Sequence, residues 1–389
     1  MKRIAVVGTI YKYLSHVQHI AERFLVGYPY QGTWHRPDMK VVSLYIDQKP
    51  AGDLSEQRAK EFGFQVYKTI AEALRCGGEK LAVDAVLIVA EHGDYPLNEK
   101  GQMLYPRYEF FKACVDVFEQ DGRAVPVYND KNLSWSFDHA KWMVDQSKRL
   151  KFPVLAGSSL PVTWRLPELE LPLGCEIEEA LMIGNGGSDA MDYHALEAMQ
   201  CMIERRKGGE TGIRSVQMLE GNAVWKAGEA ERWSNKLLES AFSRSDTPQG
   251  WSLEDSRPQN LAANGQLPKL VKNPSAYFIE HNDGLKTTLL MLNGALQDFN
   301  FAARLQGGAV RSCQFLLTPV PNVTYSACLV SHIERMFETG KADYPVERTL
   351  TVSGMLESCL TSRIQGGKRL QTPHLTISYQ APRTSAIPS

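Results

Sequence analysis

A wholly apolar run, Ile4-Ala5-Val6-Val7, stops at Gly8 and gives way to apolar residues at helical spacing: Val17, Ile20, Ala21, Phe24 and Leu25. A strand with no alternating polar residues is one buried on both faces, as in a parallel sheet. Ser15-x-x-Gln18 reads as a capping box at the start of the helix. The next strand, Val41–Ile46, ends at Asp47, and the Gly/Pro/aromatic stretch 27–38 before it reads as an irregular loop. The alternation then repeats. Helices are expected at Ser55–Phe62, Ile70–Leu74, Tyr108–Phe118 and Ser136–Arg149. Strands are expected at Val66-Tyr67, Val83–Ala90, Val125–Tyr128 and Val154–Ala156. Strands alternating with helices imply βαβ units. The fold class is therefore α/β, with a Rossmann-type doubly wound parallel sheet over residues 1–157.

After Gly157 the pattern changes. Glu176–Ile183, Ser215–Leu219, Tyr277–Glu280, Thr287–Asn293, Phe299–Arg304 and Gln314–Leu317 read as strands, several without helices between them. Residues 158–389 are thus expected to form an α+β domain with a mainly antiparallel open sheet. Helices at Tyr193–Arg206, Trp233–Ser243, Ser326–Glu338 and Thr349–Ser362 would pack on one face. Residues 244–274, rich in Pro, Ser, Asn and Gly, read as a long surface loop, the kind that serves as a lid or contact arm. The tail after Tyr379 reads as disordered.

The chain has 389 residues, 43% hydrophobic and 22% charged, with a net charge of −1. That balance supplies a core but no field to attract nucleic acid or an anionic membrane. No apolar run approaches the ~20 residues needed to span a bilayer. The seven cysteines have no CxxC spacing. They read as reduced thiols, and the protein is expected to be cytoplasmic. No metal site is expected.

In a dinucleotide fold the turn after the first strand carries G-x-G-x-x-G. Here Gly8 holds the first position, while Ile10 and Tyr13 hold the second and third. A branched side chain obstructs the approach of backbone to a pyrophosphate, so the fingerprint is weak taken alone. Gly8, Thr9, Ile10 and Lys12 are the candidate phosphate-side residues, with Lys12 or backbone amides compensating for the lost glycines. Asp47 is placed to hold adenosine ribose hydroxyls, which favours NAD over NADP; a solvated turn acid is the other reading. Glu91, His92 and Asp94 follow the fourth strand of the alternation, at the carboxyl end where ligands gather.

Several segments together resemble the glucose-fructose oxidoreductase, inositol dehydrogenase and MocA family. Arg58-Ala59-Lys60-Glu61-Phe62-Gly63 resembles its helix after the second strand, and Val83-Asp84-Ala85-Val86-Leu87-Ile88 its fourth strand. Tyr128-Asn129-Asp130-Lys131-Asn132 resembles the strand ending in Glu-Lys-Pro, with Asp130 in place of Glu and Asn132 in place of Pro. Pro153–Gly157 resembles the closing strand. Asp192-Tyr193-His194-Ala195-Leu196-Glu197 resembles Gly-x-His-x-x-Asp, with Asp192 in place of Gly. Phe337–Lys341 resembles the late helix-Gly turn. The resemblance spans nearly the full chain, through motifs that are individually short.

The resemblance implies an oxidoreductase using NAD or NADP on a sugar or cyclic polyol. Lys131 would stand by the nicotinamide and the hydroxyl being oxidised, and His194 would be its general acid/base. Glu197, one turn later, would orient or charge-tune His194. Asp94, Asp192, Trp164 and Arg165 are candidate sugar contacts, with interdomain packing the rival role for Trp164 and Arg165. Relatives pair through the open sheet, so a homo-oligomer is expected. The alternative reading is a relative that has lost its cofactor and binds a sugar or a protein partner.

Overall fold

Both faces of the first apolar run are covered. The computed structural model describes residues 1–187, 189–250, 256–320 and 323–384. β1 (Lys2–Gly8) turns Ala5 and Val7 into one apolar cluster and Ile4 and Val6 into another. The crossover that follows α1 (His16–Val26) is a hairpin, β2 (Tyr28–Tyr30) and β3 (Thr33–His35), not the irregular loop expected. Gly27 makes it possible: its φ is +91°, and a Cβ there would lie 2.4 Å from the His35 carbonyl oxygen.

β4 (Met39–Ile46) and β6 (Ala85–Val89) flank β1 in parallel. With β5 (Gln65–Tyr67), β7 (Val127–Asp130) and β8 (Val154–Gly157) they form a six-stranded sheet in the order β5-β4-β1-β6-β7-β8. This is the doubly wound order of dinucleotide-binding sheets. α3 (Ile70–Arg75), α4 (Arg107–Asp121) and α5 (Phe137–Leu150) cover the face of Ala5 and Val7, while α1 covers that of Ile4 and Val6. α2 (Ser55–Phe62) packs at the edge of this second cluster.

The capping box forms by half. Ser15 Oγ accepts the Gln18 N–H, but the Gln18 side chain accepts from Leu14 N–H at 2.8 Å rather than from Ser15.

The second sheet has eight strands, in the order β16-β11-β12-β13-β10-β14-β15-β9. Its ladders are antiparallel except that of β10 (Ile177–Gly184) with β13 (Lys286–Met291). β11 (Ile213–Glu220), β12 (Ser275–His281), β14 (Phe299–Leu305) and β15 (Val310–Phe315) fill its middle. The short β9 (Arg165–Leu166) and β16 (Leu370–Gln371) end it.

Helices do not gather on one face of this sheet, as the sequence suggested. α6 (Asp189–Ile203) and the Val346–Ile364 helix (here α11) bury Ala180, Met182, Tyr277 and Ile279. The alternate residues Leu181, Ile183, Ala276 and Phe278 are buried on the other face by α7 (Asn222–Glu229) and α8 (Asn235–Phe242). The segment expected to be a free surface loop joins that cover. Leu261, Leu267 and Val271 sit in the same cluster, and residues Leu267–Leu270 form a short helix, α9. The face on which self-pairing was expected is therefore partly covered by the chain itself. The Tyr325–Thr339 helix, α10, leaves the second sheet altogether and packs against α1 and the first one. Residues 251–255 of the expected loop and 385–389 of the expected tail lie outside the described residues.

Among the described residues no helix is long and apolar enough to cross a membrane. All seven cysteines are free thiols.

Candidate functional site

The order of the first sheet reverses between β1 and β6, and there the chain ends of four strands open toward α6. A cavity of about 230 Å³ lies here, lined by His16, His92, Asp130, Lys131, Met191 and His194 among others. Lys131, just past β7 of the first sheet, and His194, on α6 packed against the second sheet, thus share one wall. Two non-glycine residues of the lining have left-handed backbones: His92 with φ +68° and Lys131 with φ +61°. Each sits just past the carboxyl end of its strand, where such conformations cost of order 1 kcal/mol or more and persist only when the surroundings hold them. For Lys131 the hold is visible. Its N–H donates to the Gly157 carbonyl at 3.1 Å, and its Nζ donates to Glu91 Oε1 at 3.0 Å.

Glu91 is a buried hub rather than a cofactor contact in the open. Its second oxygen pairs with Arg107, and all three side chains are under 7% exposed. Burial alone would raise the Glu91 pKa, but the charges of Lys131 and Arg107 outweigh it and hold the carboxyl well below its ordinary range. Arg107 also donates through Nε to the Asp130 carbonyl at 3.1 Å, tying α4 to the end of β7.

Four imidazoles line the cleft: His16, His19, His92 and His194. Asp130 Oδ2 accepts His16 Nδ1–H at 2.6 Å, and Asp130 Oδ1 accepts the Tyr128 hydroxyl at 3.2 Å. The His16 and His92 rings meet edge to face, 4.9 Å apart. Burial, followed by the charge of His16, lowers both His19 and His92 to about 4. His194 is lowered well below its ordinary value by burial and then by Lys131. The last three imidazoles are therefore neutral at pH 7.

Glu197 does not contact His194. The His194 Nδ1 is hydrogen-bonded to Ser158 Oγ, while Glu197 turns toward β8. Glu197 accepts the Ser158 N–H at 2.5 Å and the Thr349 hydroxyl at 2.9 Å. Gly157 leaves room for it, since a Cβ at that position would stand 2.6 Å from Glu197 Oε1. The carboxyl reaches His194 only through Ser158, and burial raises its pKa to about 7. The expected i,i+3 contact is replaced by this two-step link.

The remaining expected residues scatter. Gly8 lets α1 approach β1, for a Cβ there would be 2.6 Å from Val17 Cγ2. Thr9 Oγ1 donates to the Glu91 carbonyl at 2.8 Å. Ile10 is buried, Lys12 is exposed, and Tyr13 points out at 60% exposure. Asp47 stands at the end of β4 with both oxygens taken, one by Tyr45 OH at 2.9 Å and one by Tyr95 OH at 2.6 Å. Asp94 is exposed, and its backbone makes reciprocal bonds with the Gln48 side chain.

Trp164 packs in the first sheet's apolar cluster. Arg165 is buried against the Pro161 and Leu169 carbonyls and lies over the Phe315 ring. Asp192 is buried against Tyr277 OH, with its pKa raised to about 6 by burial. Asp94, Trp164, Arg165 and Asp192 are not among the side chains that line the cleft. Sequence reasoning missed Arg107, His16 and Ser158 as site residues. For His16 a signal existed: it opens the helix that faces the carboxyl end of β1.

A dinucleotide in this fold would run from Asp47 across the turn after β1 to Lys131. The residues at its reactive end fit such a group: a cation, neutral imidazoles and open volume. The adenosine end is closed by the chain itself. Tyr95 on Asp47, Asp94 on Gln48 and His92 on His16 all reach across the crevice from the segment behind β6. Among the described residues no group of three His, Cys, Asp or Glu side chains is placed to hold a metal ion.

A larger groove, about 750 Å³, lies on the outer face of the second sheet. Its charges are largely satisfied by one another, Arg304 with Glu178 and Glu179 and Arg369 with Glu280. It holds one left-handed residue, Glu231 at φ +54°, and an Arg232 whose pKa burial lowers, but no imidazole, so the smaller cleft with its four is the candidate site.

No family model matches the sequence, and no curated protein matches it either. Solved structures do match its fold. A myo-inositol dehydrogenase from Lactobacillus casei, in complex with NAD(H) and myo-inositol, superposes with a TM-score of 0.56 at 11% identity, over 95% of this chain and 96% of the other. GenD2 from gentamicin A biosynthesis, in complex with NAD, gives 0.56 at 13% identity over 95% and 96%. An inositol dehydrogenase homologue from Azotobacter vinelandii, complexed with NADH and myo-inositol, gives 0.52 at 12% identity over 95% and 97%. The shared fold runs nearly end to end, while the sequences have diverged.

Proposed function

We propose that the chain is an oxidoreductase of a cyclic polyol or sugar, using NAD or NADP, with its reactive centre in the cleft of Lys131 and His194. The single observation that carries this reading is the meeting of those two side chains, one from the end of β7 and one from α6, beside the strained His92 and Lys131 backbones. A neutral ligand bearing hydroxyls suits walls of neutral imidazoles and one clamped cation. The volume fits a small ring and falls below the ~300–1,000 Å³ of drug-sized sites.

Bound NAD(P) would supply the hydride acceptor, with Asp47 and the α1 N-terminus as its holding residues. Lys131, fixed by Glu91, stabilises the alkoxide that develops on the ligand oxygen. The hydroxyl proton leaves to an imidazole of the cleft. His194 is the counterpart of the family's acid/base histidine, held at Nδ1 by Ser158 so that Nε2 is its exchangeable position.

A specific observation favours a second reading. The three contacts that close the adenosine end are what a cofactor-free relative binding the same polyols would show. Thermal melting with NAD, NADP and myo-inositol, together with a mass spectrum of the purified protein, separates the two. A dinucleotide-linked shift supports the first reading. A polyol-linked shift with flat nicotinamide responses moves the assignment to the second.

A further inference from the structure

We infer that His16, backed by Asp130, is the proton acceptor of the cleft, and that His194 acts opposite it as a hydrogen-bond donor. The inference rests on the reading that the cleft takes a hydroxylated ligand, and it assigns the proton within that reading.

Asp130 is 2% exposed, and its two oxygens are engaged by His16 Nδ1–H and Tyr128 OH. A carboxylate can only accept, so the ring must carry its proton on Nδ1. Nε2 then holds a lone pair. Among the described residues that nitrogen makes no hydrogen bond, and the ring lines the cavity at 23% side-chain exposure. This is the logic by which a buried carboxylate fixes an imidazole's tautomer and stabilises the imidazolium formed when it takes a proton.

His194 is set the other way. Ser158 Oγ accepts the Leu160 N–H at 3.0 Å, and its other partner is His194 Nδ1. The hydroxyl's proton is satisfied by donation to that nitrogen, which puts the His194 proton on Nε2. Lys131 is a donor as well. Of these three, His16 alone turns a carboxylate-backed lone pair toward a hydroxyl that has to lose its proton.

The groups facing His16 are His19 on its own helix, Glu91 and His92 behind β6, Asp130 and Lys131 at β7, His194 on α6 and Tyr325 on α10. Of these Asp130 alone touches the ring as an acceptor. In the step itself the O–H proton passes to His16 Nε2. A bound oxidised nicotinamide would take the C–H electron pair as hydride, leaving the carbinol as a carbonyl. Asp130 keeps its charge and pairs with the imidazolium.

Histidine NMR on the full-length chain tests the tautomer and needs no turnover. His16 is expected to hold its proton on Nδ1 at pH 8. Asp130→Leu, which removes the acceptor, is expected to release that preference, so that the tautomer protonated on Nε2 gains population. A proton on Nε2 in the wild type overturns the proposal, as does an unchanged tautomer in a folded Asp130→Leu variant.

His16→Gln supplies the second arm, assayed with myo-inositol and NAD. The proposal expects kcat to fall by about 10²–10⁴-fold, with loss of the acid limb of the pH profile, in a variant that still melts cooperatively. A retained limb overturns it. If the wild type turns over no polyol while the NMR result holds, the oxidoreductase reading falls and the proton-accepting dyad stands.

Discussion

Replacing Glu91 by Gln removes the one anion that two buried cations share. Lys131 Nζ and Arg107 Nη2 each pair with a separate oxygen of Glu91, and the three side chains are 6%, 3% and 4% exposed. Deleting one partner of a buried pair costs about 3–5 kcal/mol, because the remaining charge is left without compensation. Here two charges are left, so the upper part of that range is expected. With an m-value of about 3 kcal/mol/M, the urea midpoint falls by about 1.3–1.7 M. Lys131→Met leaves Glu91 paired with Arg107 and costs less, about 1.5–3 kcal/mol for the lost charged hydrogen bond. The double variant is expected to be more stable than Glu91→Gln alone, since one orphaned cation is gone. Tryptophan fluorescence in urea reads all three.

The pH dependence has a fixed sign. Because the folded-state pKa of Glu91 is depressed, its contribution is present above the ordinary value of about 4.3 and is lost as pH falls below it. A Glu91→Gln loss under about 1 kcal/mol at pH 7, or a double variant weaker than both singles, would refute the shared-anion account.

Three further outcomes follow from the same geometry. Tyr95→Phe frees one oxygen of Asp47 and is expected to tighten NAD binding by about 2–10-fold, the worth of one displaced hydrogen bond; calorimetry showing weaker binding contradicts the assignment of Asp47. Gly157→Ala places a Cβ 2.6 Å from Glu197 Oε1 at φ +127°, so a loss of about 2–4 kcal/mol is expected in denaturation, and a neutral result would mean the carboxyl is free to turn away. The Glu197 pKa is raised to about 7, so the folded state holds its proton and stability declines as pH rises from about 4.3 toward 7; Glu197→Gln is expected to flatten that decline in melts taken across the window.

The first sheet was legible because its strands are buried on both faces and leave unbroken apolar runs such as Ile4–Val7 and Ala85–Val89. The second was legible in its strands but not in its layers. Leu181 and Met182 look alike in sequence, yet they face different helices. One helix of that second cover, Asn222–Glu229, follows Gly221 and carries Gly228, so its pattern reads as a turn. At the site, motif order brought Lys131 and His194 to one cleft.

Spacing failed where a side chain had a stronger local partner than the one expected. Glu197 lies one turn from His194 but finds the Ser158 N–H and the Thr349 hydroxyl instead. Arg165 satisfies itself on backbone carbonyls. The His16–Asp130 bond joins residues 114 apart. It depends on the turn after β1 and the end of β7 lying side by side, which no local pattern encodes.

The closed half of the crevice bears on function only through what it costs to open. Two of its three contacts, Tyr95 with Asp47 and Gln48 with Asp94, are hydrogen bonds at exposed positions; the third is the edge-to-face meeting of His16 and His92. The Gln48–Asp94 contact is two bonds, so there are four interactions; at about 0.5–1 kcal/mol each, the lower part of the usual range for exposed positions, their sum is about 2–4 kcal/mol. A dinucleotide that binds an open groove at about 1 μM would then bind this one at between about 30 μM and 0.7 mM, with tenfold for every 1.4 kcal/mol. A titration carried to 10 mM covers that whole range, so loop closure alone cannot hide a working site from it. Silence at that concentration would place the obstacle in the turn itself, where the buried Ile10 stands in the position of the second glycine. The cleft would then belong to the cofactor-free reading. A saturable signal within the range would instead make the segment behind β6 a closure that the cofactor displaces on entry.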